Sequence, residues 1–155
     1  MILRFNRIFT PKEYFPVVKA KRLKHTPETE FYLIAIASSE DAYRLSWVIN
    51  DILDIQLKRA DPLKIWEENK ENPGKFICYA YISEEQQGVC RLISNKSESG
   101  LLEPKLKQFD FFLQFQHLPG VKPESVVNAL KKHNDILLAM EINTPEKGLI
   151  QKLML

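Results

Sequence analysis

Apolar side chains along the chain alternate between unbroken runs and helical spacing, and this pattern lays out most of the elements. Residues 31–37, FYLIAIA, form a continuous apolar run rich in strand formers, which reads as a buried strand. Ser38 follows, with Asp41 three residues on as a weak capping box. Leu45, Val48, Ile49 and Ile52 then fall at i, i+3, i+4 and i+7, which predicts an amphipathic helix over 40–54. Residues 55–60 alternate weakly, as a strand does. Residues 61–75, DPLKIWEENKENPGK, read as a loop because prolines, a glycine and charges crowd it.

Two further apolar runs, 76–82 (FICYAYI) and 88–94 (GVCRLIS), flank the turn SEEQQ. A link that short predicts an antiparallel hairpin, since a parallel crossover needs about a dozen residues. Residues 95–105 read as a second loop. FDFFLQFQ at 109–116 predicts a strand with Phe109, Phe111, Leu113 and Phe115 on one face and Asp110, Gln114 and Gln116 opposite. Pro123 and Glu124 suit the first turn of a helix carrying Val126, Val127 and Leu130, and Lys131, Lys132 and His133 complement its dipole at the end. ILLAMEI at 136–142 reads as another buried strand, and Thr144-Pro145-Glu146 opens a short last helix bearing Leu149, Ile150 and Leu153. The order predicts an α+β fold: a mostly antiparallel sheet of about five to six strands, two main helices and a short C-terminal helix, with the helices on one face. Leu45, Val48, Ile49, Ile52, Phe109, Phe111, Leu113 and Phe115 are expected to meet in one core.

Length and charge add an organisation to this pattern. A chain of 155 residues fits a single domain. Residues 1–24 carry seven Lys/Arg against one acid, a net charge of +6, leaving −4 on the remainder. The expectation is a basic, aromatic extension at 1–20 on one domain spanning 21–155. Such an arm suits a solvated leader or a nucleic-acid contact. Its apolar residues, among them Ile2, Leu3, Phe5, Ile8, Phe9, Tyr14 and Phe15, pull instead toward packing on the body or on a second subunit.

Known chemistry leaves few traces. The sequence contains no G-x-S-x-G elbow, no phosphate-binding G-x-x-x-x-G-K-S/T loop and no G-x-G-x-x-G turn. His25, His117 and His133 lack the spacing of a metal site, and Cys78 and Cys90 have no companion ligands, so no metal and no cofactor are expected. No apolar run approaches the roughly 18–20 residues of a membrane span, and the N-terminus lacks the h-region of a signal peptide. The expected location is the cytoplasm, where both thiols stay reduced. Tyr79, Tyr81 and Phe112 are the candidates for an outward base-stacking platform, but no basic residues interleave with them, and core packing is the stronger reading.

The segment EPKLKQFDF at 103–111 carries a resemblance. Pro104 and Asp110 match, and Phe109 and Phe111 stand for Val and Tyr, in the motif of the bacterial IPExxxVDY family; Glu103 replaces its Ile and Lys105 its Glu. AYRLSWVIN at 42–50 and RLISNKSESGLL at 91–102 are similar to further segments of that family, so the resemblance runs from about Lys21 to Phe115. It implies a compact, cytoplasmic bacterial protein and no reaction. The polar residues that share this resemblance are Arg44, Trp47, Asn50, Asn95, Lys96 and Asp110. They form either a binding patch for an anionic group or partner peptide, or a structural set in which Asn95 and Asp110 cap the connecting loop and Arg44 pairs with an acid. The expected function is a non-enzymatic protein-binding or adaptor module, self-association included. The alternative is nucleic-acid binding through the basic arm, and the third reading is an enzyme built on Arg44, Lys96 and Asp110.

Overall fold

The computed structural model describes residues 31–154. The basic arm and the expected boundary near residue 20 lie outside the described residues.

The architecture is the α+β fold that the element order predicts. Six strands form one antiparallel sheet: β1 (Phe31–Ala37), β2 (Lys58–Arg59), β5 (Cys78–Ser83), β6 (Gly88–Ser94), β9 (Phe111–Gln116) and β10 (Leu138–Glu141). Their spatial order is β10-β1-β9-β6-β5-β2. The hairpin of β5 and β6 is antiparallel, with Tyr81 opposite Cys90 and Cys78 opposite Ile93. Gly88 at its tip is required by space: a Cβ there would lie 2.3 Å from the His117 carbonyl oxygen.

The helices are α1 (Ala42–Leu53), α2 (Pro123–Lys131) and α3 (Lys147–Leu153). Leu45, Val48 and Ile49 of α1 and Val126, Val127 and Leu130 of α2 pack on one sheet face, against Ile34, Ile36, Leu92, Phe111, Leu113 and Phe115. Ile52 packs against this cluster half-buried. Asp41 is the N-cap of α1: its carboxylate accepts the Arg44 N–H at 2.8 Å. Ser38 does not cap the helix and is used elsewhere, as described below. Asp54 closes α1 in the left-handed region, φ 57°, a conformation that Asp tolerates better than branched residues.

The second face corrects several expectations. It is covered too, by a core of Leu33, Ala35, Ile93, Phe109 and Phe112 with Leu149 and Leu153 of α3. The expected loop 61–75 contributes a two-stranded ribbon, β3 (Leu63–Ile65) paired with β4 (Gly74–Phe76), whose Leu63, Ile65 and Phe76 join that core. The expected loop 95–105 holds a second ribbon, β7 (Lys96–Ser97) and β8 (Gly100–Leu101), and runs into a 3₁₀ turn at Pro104–Leu106. Phe109 precedes β9 and joins the second core, so it does not meet Phe111, Leu113 and Phe115. Helices therefore occupy both faces, with α3 opposite α1 and α2. Phe112 is fully buried and Tyr79 buried, which removes the stacking platform.

The register also separates the thiols. Cys78 belongs to one core and Cys90 to the other, because the offset between them across the ladder is odd and side chains alternate by residue. Burial pushes both thiols up from the ordinary cysteine range.

Candidate functional site

Four of the six candidate residues, Arg44, Asn95, Lys96 and Asp110, gather around the end of the sheet where β1 leaves it and α1 begins; Trp47 lies midway along α1 and Asn50 toward its far end. Ser38 is the junction. Its backbone N–H donates to Asp110 Oδ2 at 2.9 Å, and its hydroxyl donates to the Asp135 carbonyl at 2.6 Å while accepting the Glu40 N–H at 3.2 Å. Asp110 stands at the entrance to β9 and Asp135 ahead of β10, so one serine ties together the segments entering both neighbours of β1.

Asp110 has little capacity left. Lys96 Nζ lies 2.6 Å from Asp110 Oδ1, so each carboxylate oxygen already has a donor. Arg44 Nη2 lies 3.6 Å from Asp135 Oδ2. His133 Nδ1 is 3.9 Å from the same carboxylate oxygen, yet it accepts the Asp135 N–H at 3.2 Å. Arg44, whose guanidinium is permanently charged, is the firm cationic partner of Asp135 in this group.

Asn95 is fully buried and spends every polar atom on the backbone. Its Nδ2 donates to the carbonyls of Leu106 at 3.1 Å and Phe109 at 2.9 Å, and its Oδ1 accepts the Glu103 N–H at 2.8 Å. Its main chain adds two bonds, its N–H donating to the Asp110 carbonyl and its carbonyl accepting from Leu102 N–H. The 103–111 segment thus winds around one amide. Glu103 caps the 3₁₀ turn by accepting the Lys105 N–H at 3.1 Å, and Pro104 fits its first position, where no N–H is needed. Asn50 does a similar service for α1, its Oδ1 accepting the Leu57 N–H at 2.7 Å and its Nδ2 donating to the Leu57 carbonyl at 3.3 Å.

Trp47 differs from the rest. It points away from the core on the outer face of α1 and is 60% exposed, as is Tyr43 one turn earlier, with the two ring centroids 5.8 Å apart. Arg44 emerges beside them, its side chain 59% exposed. The set therefore divides: Asn50, Asn95 and Asp110, the last with Lys96, hold loops in place, whereas Arg44 and Trp47 stand exposed on α1 with the neighbouring Tyr43.

A second polar group was not legible from spacing. Arg91 of β6 and Gln114 of β9 are register partners on the face covered by α3. Gln114 is fully buried, and its Oε1 accepts from Arg91 Nε at 2.9 Å and Nη2 at 2.6 Å. Arg91 also donates to the Leu153 carbonyl, satisfying the last turn of α3. Burial pulls the Arg91 guanidinium down from its ordinary value. The same helix is tied by Lys152 Nζ to the Leu102 carbonyl at 2.8 Å and through the exposed Lys105–Glu146 ion pair at 2.8 Å. Arg91 and Gln114 lie 23 residues apart in the chain, and only the β6–β9 register brings them together.

Among the described residues, no group of three or more His, Cys, Asp or Glu is placed to hold a metal ion, and no helix is long and apolar enough to cross a membrane. No family model, curated protein or solved structure matches the chain.

Proposed function

We propose that the chain is a non-enzymatic protein-binding module that takes its partner on the outer face of α1. The observation that carries this reading is the Tyr43–Trp47 pair. Two adjacent aromatic rings exposed at 60% keep a large apolar area in water, and a bound partner would recover the free energy that this forgoes. Tyr, Trp and Arg are the side chains that most often dominate protein–protein binding energies, and here all three occur within five consecutive residues, Tyr43, Arg44 and Trp47. Arg44 sits beside the rings and favours a partner segment that combines an apolar or aromatic anchor with an acid. The nearby carboxylate supports the same reading, because both oxygens of Asp110 already accept, one from the Ser38 N–H and one from Lys96, which leaves it poorly placed to act as a general base. This fits a cytoplasmic protein of the IPExxxVDY type, a resemblance that brings no reaction with it.

The test is affinity capture on the full-length chain with Tyr43→Ala/Trp47→Ala beside the parent. Specific partners captured by the parent and lost by the variant are the expected result, with an unchanged circular-dichroism melt. Retention of every partner by the well-folded double variant would overturn this reading.

A further inference from the structure

The two edges of the six-stranded sheet are built differently. On one side it ends in β2, only two residues long, whose side chains are both cationic and exposed, Lys58 and Arg59. Short length and charge are how proteins commonly block edge-to-edge pairing. On the other side it ends in β10, Leu138-Ala139-Met140-Glu141, which carries no lysine, arginine or proline. Leu138 and Met140 share one sheet face and are each 44% exposed, and Leu137 just before them is 71% exposed. No further strand lies beyond β10 among the described residues.

We infer that β10 is a homodimerisation edge, and that its occupant is β10 of a second copy, running antiparallel about a twofold axis near Ala139. This inference rests on β10 and its flanking helix alone and does not depend on the α1 surface. A twofold perpendicular to the sheet keeps each face on its own side. Leu138 of one copy then meets Met140 of the other, twice, and the four side chains close into one apolar cluster. Glu141 falls opposite Leu137, so no like charges are brought together on the strand. The pairing continues the sheet across the axis and satisfies backbone groups that side-chain contacts cannot reach.

Charge on the flanking helix points to the same occupant. α2 packs over β10 and β1 and is joined to β10 by a short turn. It bears Glu124 in its first turn and Lys131 in its last. An axis that makes the strands antiparallel does the same to the two copies of α2, so Glu124 of each copy lies toward the other copy's Lys131, on the far side of the first turn from the N-cap Lys122. A second copy therefore complements the flank as well as the strand. The helices are needed, because a four-residue strand by itself falls short of the roughly 800 Å² that each partner of a stable interface buries.

The experiment is sedimentation equilibrium of the full-length chain against Leu138→Lys/Met140→Lys, two surface changes that place cations on the edge as β2 does. The parent is expected to sediment as a dimer at about 100 μM, a concentration that populates an interface of micromolar affinity. The variant is expected to be at least about tenfold weaker in self-association, with an unaltered melting curve. Glu124→Lys and Lys131→Glu/Lys132→Glu chains, each weakened alone, are expected to pair with one another when mixed. A monomeric parent at that concentration would overturn the inference. So would a folded edge variant that dimerises as the parent does, including one whose dimer is lost only when residues 1–16 are deleted. Should the edge variant fail to fold, the mixed charge-reversal pair decides, and absence of pairing there counts against the inference.

Discussion

β1 and β10 are neighbours in one sheet and have much the same kind of sequence, FYLIAIA and ILLAMEI, yet the fold treats them in opposite ways. From Leu33 to Ala37 every residue of β1 is buried, alternate side chains entering the two cores. In β10 only Ala139 is buried; Leu138 and Met140 look out on the face that α3 and the β3–β4 ribbon cover elsewhere. An apolar run states that a strand will form there. Whether both of its faces find cover depends on position in the sheet, which is decided by segments far away in the chain. The lesson is that an uncovered apolar strand is a property of topology, and its uncovered face is a natural place to look for a partner.

The largest effect expected along this contrast is at the centre of β1. Ile36→Ala removes a fully buried side chain beneath α1 and α2 and should cost about 2–5 kcal/mol in urea denaturation, with an unchanged m-value. Asn95→Ala comes next. It strands the Glu103 N–H and the carbonyls of Leu106 and Phe109 in the loop that helps cover the second face of β1. A loss of about 1–3 kcal/mol is expected, along with faster hydrogen exchange confined to residues 95–110.

The two thiols test whether both faces are closed at the middle of the sheet. Cys78 and Cys90 should resist an aromatic disulfide reagent at neutral pH in the folded protein and react promptly in denaturant. Burial raises both above their unfolded value of about 8.5, so the unfolded chain loses its thiol protons first. Stability should therefore be intact below that pH and decline as pH rises above it. A Cys78→Ser/Cys90→Ser chain, in which this decline is absent, separates the thiols from the tyrosines and lysines that titrate nearby.

Smaller effects belong at the polar end and the outer edge. Lys96→Ala breaks an ion pair whose lysine side chain is 53% exposed and should cost no more than about 1 kcal/mol, shrinking further in salt. Met140→Ala, measured in dilute protein where subunits are apart, should stay within about 0.5 kcal/mol. A cost near that of Ile36→Ala would mean that β10 is covered within its own chain and would erase the contrast.

Most of the elements were legible because each rests on local chemistry. Helical spacing of Leu45, Val48 and Ile49 marked α1, and the five-residue turn marked the β5–β6 hairpin. The ribbon of β3 and β4 was hidden because Pro62, Pro73 and Gly74 break the run, and its three buried side chains are strung among charges. In the candidate site, the loop-holding roles of Asn95 and Asp110 were one of the two expected readings. The exposed pair was half visible: Trp47 stood among the six candidates, and its neighbour Tyr43 did not.

By itself the sequence determined the α+β class, the antiparallel hairpin, the amphipathic helices and the absence of familiar catalytic motifs, because periodicity, turn length and motif spacing are local properties. The tertiary structure alone decided that both sheet faces are covered, that Cys78 and Cys90 lie in different cores, that Phe109 leaves the strand and that Arg91 meets Gln114. These depend on strand register and on which distant segments fold over each face, and a shift of one residue in register would exchange every one of those side chains between faces.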